Sequence, residues 1–316
     1  MKPIRAGFLI GQTASGKGAA GFQLARRLRA EIISLDSMKV YRGMDVGTAK
    51  PPPERRQQVP YHMLDVADPC EHFSTALYVE GADRAARDIA ARGALPLFVG
   101  GTALYFKALT EGLFEGPPAD PEFRAALRKE AAEHGSAHLH QRLAAVDPAA
   151  AGRIHPNDLR RIERALEVYE KTGSPISELQ DQFGRANDAY DATVLGIRRD
   201  KDDLHDRINR RVDRMMAAGL LDEVKALTEG PRPLGKEASQ ALGYRELLEH
   251  LNGEHTLDEA VELTKLHTRQ FAKAQMTWMK RFQTAEWFDA APDEPPGHLA
   301  DRLERFLGDR GLAAER

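Results

Sequence analysis

The sequence predicts an α/β protein: a parallel sheet of the P-loop type flanked by helices, with an all-helical insertion domain. Strand-like and helix-like segments alternate in the first third of the 316 residues, which is typical of a parallel sheet covered by helices. Residues 11–18 follow a short apolar run and have the G-x-x-x-x-G-K spacing of a phosphate-binding loop. Helical patterns follow one another without a strand between residues 122 and 172, which indicates the insertion.

The composition is that of a soluble globular protein, with 42% hydrophobic and 29% charged residues and a net charge of −3. No apolar run approaches the roughly 18 residues that a membrane span needs, so we expect no membrane role. Cys70 is the single cysteine and the first residues do not resemble a signal peptide, which favours a reducing, cytoplasmic setting. We also expect a monomer.

The elements of the first third follow from apolar runs and helix caps. Strands are predicted at 7–10, 32–35 and 95–99, and helices at 16–29 and 75–92. Ser74 is the expected N-cap of the second helix, and Gly93 lies just past its end. The connecting segment 37–72 is rich in Gly, Pro and charge and is too long for a simple connector, so we expect it to have a function.

The ends of the second and third strands indicate which side chains reach the edge of the sheet. The third strand ends in Gly100, Gly101 and Thr102, without the acid that a P-loop hydrolase uses to orient Mg²⁺. The second strand ends in Asp36, which should emerge beside the phosphate-binding loop. Asp36 is therefore a candidate general base; the alternative is that it only caps the following turn.

The rest of the chain divides at a Pro- and Gly-rich stretch, 115–121. Helices are predicted at 122–134, 137–145 and 157–172, the last with Asn157 as N-cap and Gly173 past its end. Strands at 192–197 and 286–289 return to the sheet, and a surface helix is predicted from Pro296. The predicted domains are the first part of the core (1–114), the helical insertion (115–190) and the completion of the core with basic carboxyl-terminal helices (191–316).

Three basic clusters favour an RNA partner. Segment 263–285 contains no Asp or Glu, and Lys265, Arg269 and Lys273 recur on one helix face beside aromatic residues. The other two clusters are Arg207, Arg211 and Arg214, and Arg160, Arg161 and Arg164. Ordinary solvated faces are the alternative, since Asp203 and Arg207 have the i,i+4 spacing of a surface ion pair. The spacing of the histidines and of Cys70 does not predict a metal site or a catalytic thiol.

These features occur together in one known family. The sequence resembles the tRNA dimethylallyltransferases, also called tRNA isopentenyltransferases, over nearly its whole length. The motifs that carry the resemblance lie at residues 11–17, 32–37, 41–51, 99–105, 154–158, 164–168, 207–208, 211–212, 241–245 and 275–278.

The resemblance implies a reaction and its partners. The family transfers the dimethylallyl group of dimethylallyl diphosphate to N6 of the adenosine on the 3′ side of the anticodon, in tRNAs that read codons starting with U. The expected partners are thus dimethylallyl diphosphate and a tRNA anticodon stem-loop, with Mg²⁺ as cofactor and the helical insertion clamping one side of the stem-loop. Because the nucleophile attacks carbon, the P-loop would hold a leaving group and no hydrolytic acid would be needed at Gly101.

The resemblance also assigns residues to roles. Asp36 and Thr102 are the expected catalytic residues. The expected diphosphate-binding residues are Gly11, Gln12, Thr13, Ala14, Ser15, Gly16, Lys17, Gly18, Arg207 and Arg211. The expected tRNA-binding residues are Asp36, Ser37, Met38, Lys39, Thr102, Arg124, Arg160, Arg161, Ile162, Glu163, Arg164, Gln240, Ala241, Leu242, Gly243, Tyr244, Arg245, Lys273, Gln275, Trp278 and Lys280.

Three positions depart from the family's pattern. The family usually has Thr at the position of Gly18, Pro at that of Gln12 and Arg at that of Ala274. A hydroxyl that is a natural Mg²⁺ or diphosphate ligand is therefore absent, and no metal ligand is assigned from the sequence. The alternatives are a prenyltransferase that acts on free adenine nucleotides, a P-loop small-molecule kinase or NTPase, and an RNA-binding protein with an inactive P-loop.

Overall fold

The structure is a computed structural model and describes residues 2–113, 116–179 and 188–310. The described residues form two compact units. The larger unit takes the residues up to Thr110 and from Asp188 onward, and the smaller unit lies within Glu111–Asn187. The predicted boundary between residues 114 and 115 falls on residues outside the described ranges.

The larger unit is built on a sheet of six parallel strands, β1 Ile4–Gly11, β2 Ala30–Leu35, β3 Tyr61–His62, β4 Leu95–Gly100, β5 Tyr190–Arg198 and β6 Ala285–Asp289. Their order is β3-β2-β4-β1-β5-β6. The phosphate-binding strand β1 therefore has β4 on one side and β5 on the other. This confirms the predicted α/β class and places the ends of β1, β2, β4 and β5 along one edge.

Fifteen helices are present in the described residues: α1 Lys17–Leu28, α2 Pro53–Gln58, α3 Thr75–Ala91, α4 Ala103–Glu111, α5 Pro121–His134, α6 Ser136–Val146, α7 Pro148–Ala151, α8 Leu159–Thr172, α9 Ile176–Leu179, α10 Lys201–Ala217, α11 Leu220–Thr228, α12 Lys236–Ser239, α13 Tyr244–Leu251, α14 Leu257–Met279 and α15 Pro296–Asp309. In the described part of the chain none of them is long and apolar enough to cross a membrane. The short elements α2 and β3 lie within the segment that the sequence predicted only as a long loop.

The two faces of the sheet carry separate cores. On one face the rings of Phe8 and Phe98 stack with their centroids 4.4 Å apart, and α3 and α4 cover them. On the other face α1 packs against α15. The carboxyl-terminal helix was predicted as a surface helix; its Leu299, Leu303 and Leu307 are buried, because this i,i+4 spacing gives the helix one apolar face.

The smaller unit consists of α5 to α9, apart from the residues that are not described. Its core includes Leu127, Leu139, Leu143, Ile162 and Leu166. The prediction that Asn157 caps α8 is wrong: the N-cap is Asp158, whose side chain accepts a hydrogen bond from Arg161 N at 3.2 Å. The positive end of the helix dipole also stabilises a carboxylate at this position. Gly173 ends the helix with φ 70°, as predicted.

Candidate active site

The backbone of the loop between β1 and α1 turns back on itself. Ala14 and Gly16 have φ values of 60° and 95°, and the left-handed backbone at these positions turns successive amides inward. Lys17 Nζ donates to the carbonyl of Gln12 at 2.9 Å across the curl. The loop thus has the shape of an anion cradle at the N-terminus of α1.

Two arginines bind backbone carbonyls of this loop. Arg207 Nε donates to the carbonyl of Ala14 at 3.0 Å, and Arg199 Nε donates to the carbonyl of Ser15 at 2.8 Å. Since both carbonyls are bound by side chains from outside, the loop is fixed without a ligand.

Gln275 of α14 ties the loop to the end of the neighbouring strand. Its Oε1 accepts from Thr13 N and its Nε2 donates to the carbonyl of Gly101, both at 2.8 Å. Gln12 is tied to the same helix, since its Nε2 donates to the carbonyl of Ala272 at 2.8 Å. Gln275 was predicted to bind tRNA; the structure places its buried amide beneath the loop, with both ends bonded.

Asp36 and Thr102 lie at the ends of β2 and β4, which pair with each other. Asp36 Oδ1 accepts from Met38 N at 2.9 Å and from Lys39 N at 3.3 Å, so Asp36 does cap the turn. Thr102 Oγ1 accepts from Ser37 N at 3.1 Å, which joins the two candidates through one backbone segment. Among the described residues, none donates a hydrogen bond to Asp36 Oδ2, and the role of Asp36 as a base stays a prediction.

Four cations, Lys17, Lys39, Arg207 and Arg211, lie around the phosphate-binding loop. The pKa of Lys17 is lowered to about 7 by burial and then by the charges of Lys39 and Arg211, which the opposite charge of Asp36 only partly offsets. Burial also lowers the pKa of Lys39, of Arg211 and of Arg207. Such a group of cations facing a single acid is suited to an anion that carries several charges.

Two predictions about basic residues of the larger unit are corrected. Asp203 pairs with Arg199 at 2.9 Å and not with Arg207, because Arg207 turns toward the phosphate-binding loop. Lys265 belongs to the predicted cationic stripe, but it pairs with Asp213 at 2.7 Å and with Glu262 at 2.9 Å. The charge of Lys265 is therefore matched within the protein.

The other predicted tRNA-binding residues of the larger unit differ in exposure. Ser37, Met38 and Lys39 are half-buried at the start of the long loop, and Trp278 is half-buried beneath Arg281, whose guanidinium carbon lies 5.3 Å from the ring centroid. Exposed side chains are those of Gln240, Lys273 and Lys280.

The segment from Ala241 to Arg245 is mostly interior. Ala241, Gly243 and Tyr244 are buried, and Leu242 is half-buried. Arg245 donates to Glu246 at 2.5 Å. This motif therefore supports neighbouring backbone more than it offers side chains to a ligand.

Buried acids pair with two of the predicted tRNA-binding arginines of the smaller unit, Arg124 and Arg164. Glu167, which is fully buried, accepts from Arg124 at 2.7 Å and from Arg164 at 2.5 Å. Glu163 is bound by Arg128 at 2.9 Å, and Ile162 is fully buried. Of the remaining predicted residues, Arg161 pairs with Asp158 at 3.2 Å and Arg160 is exposed.

Sequence reasoning missed Arg199 and its partner Asp203. Only 2% of the Arg199 side chain and 7% of the Asp203 side chain is exposed. Arg199 follows β5, and β5 pairs with β1, so the rule that placed Asp36 beside the loop also places Arg199 there. The position of Arg199 just after a predicted strand is thus the signal in the sequence that indicates this residue.

Position 18 has open space around it. A Cβ at Gly18 would meet no atom within 4 Å, so a threonine would fit without rearrangement. No group of three or more His, Cys, Asp or Glu side chains in the described ranges is arranged to hold a metal ion.

Comparison with known proteins gives one consistent result. The family model described as IPP transferase matches residues 39–282. A tRNA dimethylallyltransferase of Symbiobacterium thermophilum is 47% identical over 98% of this chain and 96% of its own, and one of Geobacter metallireducens is 46% identical over 94% and 95%.

Solved structures agree. The tRNA isopentenylpyrophosphate transferase of Bacillus halodurans matches with a TM-score of 0.70 and 38% identity over 98% of each chain. A eukaryotic dimethylallyltransferase, captured acting on tRNA, matches with a TM-score of 0.76 and 26% identity over 98% of this chain and 78% of its own. The resemblance inferred from the motifs is confirmed: the chain belongs to the IPP transferase family, the family of the tRNA dimethylallyltransferases.

Proposed function

We propose that this protein transfers the dimethylallyl group of dimethylallyl diphosphate to N6 of the adenosine 3′ to the anticodon, in tRNAs that read codons starting with U. One observation carries the proposal. Lys17, Lys39, Arg207 and Arg211 converge on the phosphate-binding loop, while Asp36 and Thr102 stand at the adjoining strand ends. A site for a leaving diphosphate therefore lies beside a carboxylate.

The cations act on the donor. In the reaction the bond between C1 of the dimethylallyl group and its diphosphate oxygen breaks, and the electron pair leaves with the diphosphate. The negative charge that develops on this oxygen is stabilised by Lys17, by the loop amides and by the two arginines of α10. Because these groups are already fixed by contacts with Gln275 and with the loop carbonyls, little reorganisation is needed.

Asp36 and Thr102 act on the acceptor. The lone pair of adenine N6 is delocalised into the ring, so removal of a proton from N6 assists its attack on C1. Asp36 takes that proton as the bond between N6 and C1 forms. Thr102 Oγ1 is held by Ser37 N and directs its own proton toward the acceptor. The adenine must leave its stack to reach these groups, so base flipping is part of the proposal.

We propose that Mg²⁺ accompanies the diphosphate. Mg²⁺ usually keeps several waters beside substrate phosphates, so Asp36, the acid whose charge acts on Lys17, Lys39 and Arg211, would bind the ion through water and keep its own oxygens free to act as the base. Position 18 supplies no hydroxyl, so water and diphosphate oxygens would be the ligands of the ion. When bound, the ion would neutralise charge on the leaving group.

The test is to incubate the protein with radiolabelled dimethylallyl diphosphate and unmodified tRNA and to map the label. Label on the adenosine 3′ to the anticodon is the expected result. Label on AMP in preference to an anticodon stem-loop would favour the prenyltransferase of free nucleotides. Release of phosphate from ATP without prenyl transfer would favour the kinase or NTPase.

The expected monomer and the cytoplasmic location also remain proposals. A cytoplasmic location suits an enzyme whose substrate is tRNA and whose sequence has a single cysteine. Light scattering after size-exclusion chromatography tests the first, since a mass near 35.0 kDa is expected.

A further inference from the structure

Two of the family motifs have no role in the reaction as proposed. One lies in the long loop at residues 41–51, and the other is the segment 241–245. They meet at Glu223 of α11, to which no role was assigned from the sequence. We propose that Glu223 and Tyr244 form a latch that positions the loop at residues 43–50 and, through it, Arg211 for binding of the diphosphate. The inference rests on the proposed function, because it takes Arg211 to bind the donor.

Glu223 binds three consecutive backbone amides of the loop. Its Oε2 accepts from Asp45 N at 2.8 Å and from Val46 N at 2.7 Å, and its Oε1 accepts from Gly47 N at 3.1 Å. Oε1 also accepts from the hydroxyl of Tyr244 at 2.5 Å. Hydrogen bonds to an ionised carboxylate are roughly twice as strong as neutral ones, so this one side chain fixes the loop firmly.

Tyr244 is the second residue of the latch: it donates a hydrogen bond to Glu223 and packs against Gly47. It is fully buried, and burial followed by its bond to Glu223 raises the pKa of its hydroxyl, which therefore stays a donor at any physiological pH. A Cβ at Gly47 would lie 2.4 Å from ring atom Cε2 of Tyr244 and 2.7 Å from its hydroxyl oxygen. The loop backbone thus rests directly on the phenol, and only glycine permits this approach.

The residue that follows the latched segment, Thr48, contacts a residue of the proposed diphosphate site. The carbonyl of Thr48 accepts a long hydrogen bond of 3.4 Å from Arg211, while the Thr48 hydroxyl donates to the carbonyl of Met44 at 2.6 Å. Arg211 is one of the four cations around the phosphate-binding loop. Displacement of residues 45–47 would therefore move the acceptor that orients Arg211.

Lys50 binds groups at the other end of the loop. Its side chain is 1% exposed, and Nζ binds Asp45 at 2.7 Å, Asp65 at 2.6 Å and the carbonyl of Tyr41 at 2.5 Å. Lys50 thus anchors the loop at its far end, and Glu223 is the group that fixes residues 45–47. This explains why two motifs about 200 residues apart in the chain serve one position in the fold.

The test compares Glu223→Ala, Tyr244→Phe and Gly47→Ala with Asp222→Asn. The control removes one negative charge from the neighbouring, exposed residue of the same helix. Affinity for dimethylallyl diphosphate without tRNA is measured by calorimetry, and KM and kcat are measured for both substrates. We expect donor affinity to fall about tenfold in Glu223→Ala and Gly47→Ala, and about threefold in Tyr244→Phe, which removes only one hydrogen bond of Glu223.

A positioning role has a signature that general destabilisation lacks. The KM for the donor should rise while the affinity for tRNA stays unchanged, and exchange of the amide protons of residues 45–47 should accelerate. Tyr244→Phe keeps the buried ring, so it tests the latch if Glu223→Ala folds poorly. Donor affinity equal to that of the control in folded Tyr244→Phe and Gly47→Ala protein would overturn the latch. Failure of the unaltered protein to bind the donor would overturn the proposed function itself.

Discussion

Binding of dimethylallyl diphosphate at pH 8 should be accompanied by the uptake of close to one proton. In the free protein, burial and the charges of Lys39 and Arg211 lower the pKa of Lys17 to about 7. About a tenth of the Lys17 side chains are then charged at pH 8. A diphosphate placed against Nζ favours the charged form, so binding draws a proton from solution.

The size of the effect follows from the same pKa. Lowering a lysine pKa from 10.5 to about 7 corresponds to roughly 5 kcal/mol against the charged form, an upper value because the side chain is only half-buried. The donor must offset this cost. We therefore expect uptake of about 0.9 proton at pH 8, and donor affinity that falls toward tenfold per pH unit above pH 7. Phosphate monoesters lose their last proton near about pH 6, so the donor itself contributes little.

Calorimetry in buffers of different ionisation enthalpy measures the uptake directly. Lys17→Met should abolish most of it, whereas Lys201→Met, at an exposed position at the start of α10, should leave it unchanged. An observed heat that does not depend on the buffer at pH 8 would refute the assignment of a depressed pKa to Lys17.

The lowered pKa of Lys17 should also affect the stability of the ligand-free protein. Between pH 7 and 10.5 the unfolded chain binds more protons at Lys17 than the folded protein does, so Lys17 makes the unfolding free energy rise with pH in this window. Lys17→Met should therefore raise the melting temperature at pH 7 while abolishing transfer. A lower melting temperature than that of the unaltered protein would show that the lysine stabilises the empty loop.

Three further substitutions test the site. Asp36→Ala should reduce turnover by roughly 10²-fold or more with little change in tRNA affinity, and unchanged single-turnover rates would remove Asp36 from the role of base. Gly18→Thr restores a hydroxyl in open space, so it should improve donor use or lower the Mg²⁺ concentration needed for half-maximal rate; a titration that matches the unaltered protein would show that the hydroxyl is dispensable. Arg199→Ala frees the carbonyl of Ser15 and leaves buried Asp203 unpaired, so it should weaken donor binding about tenfold and also lower the melting temperature. Donor affinity that stays the same in folded Arg199→Ala protein would limit this residue to stability.

Local rules predicted the parts of the fold whose causes are local. The apolar runs gave β1, β2 and β4 to within a few residues, and Ser74 caps α3 by accepting from Leu77 N at 3.2 Å, as its position before an apolar pattern indicated. The two-residue strand β3 was not predicted, because its pairing with β2 is too short to leave an alternating pattern. Asn157 and Asp158 are both good caps, and the sequence alone did not decide between them.

The contacts that hold the site were not predictable in the same way. Gln275 meets Thr13 across 262 positions, and Arg199 meets Ser15 across 184. Both contacts depend on the order of strands in the sheet and on the path of α14, which no local pattern encodes. The family motifs marked Gln275 and Tyr244 as important, but a motif does not say whether a side chain faces a ligand or supports the backbone beside it. In the structure both side chains are buried, and they bond to loop backbone (Gln275) or to the acid that binds it (Tyr244).

The remaining question is how the loop serves its reaction without a hydroxyl at position 18. In a nucleotide hydrolase that hydroxyl holds Mg²⁺ against the phosphates. A Cβ at Gly18 would meet no atom within 4 Å, so the loop is open at this position. Positive charge comes instead from Lys39 on the loop after β2 and from Arg207 and Arg211 on α10. In the proposed reaction these charges stabilise a leaving diphosphate as a whole, whereas a hydroxyl would orient one metal ion. A reaction at carbon needs stabilisation of the leaving diphosphate more than it needs an oriented metal ion, because the nucleophile does not attack phosphorus. The absence of a hydroxyl at position 18 is then compatible with transfer, provided that the latch keeps Arg211 in place through the carbonyl of Thr48.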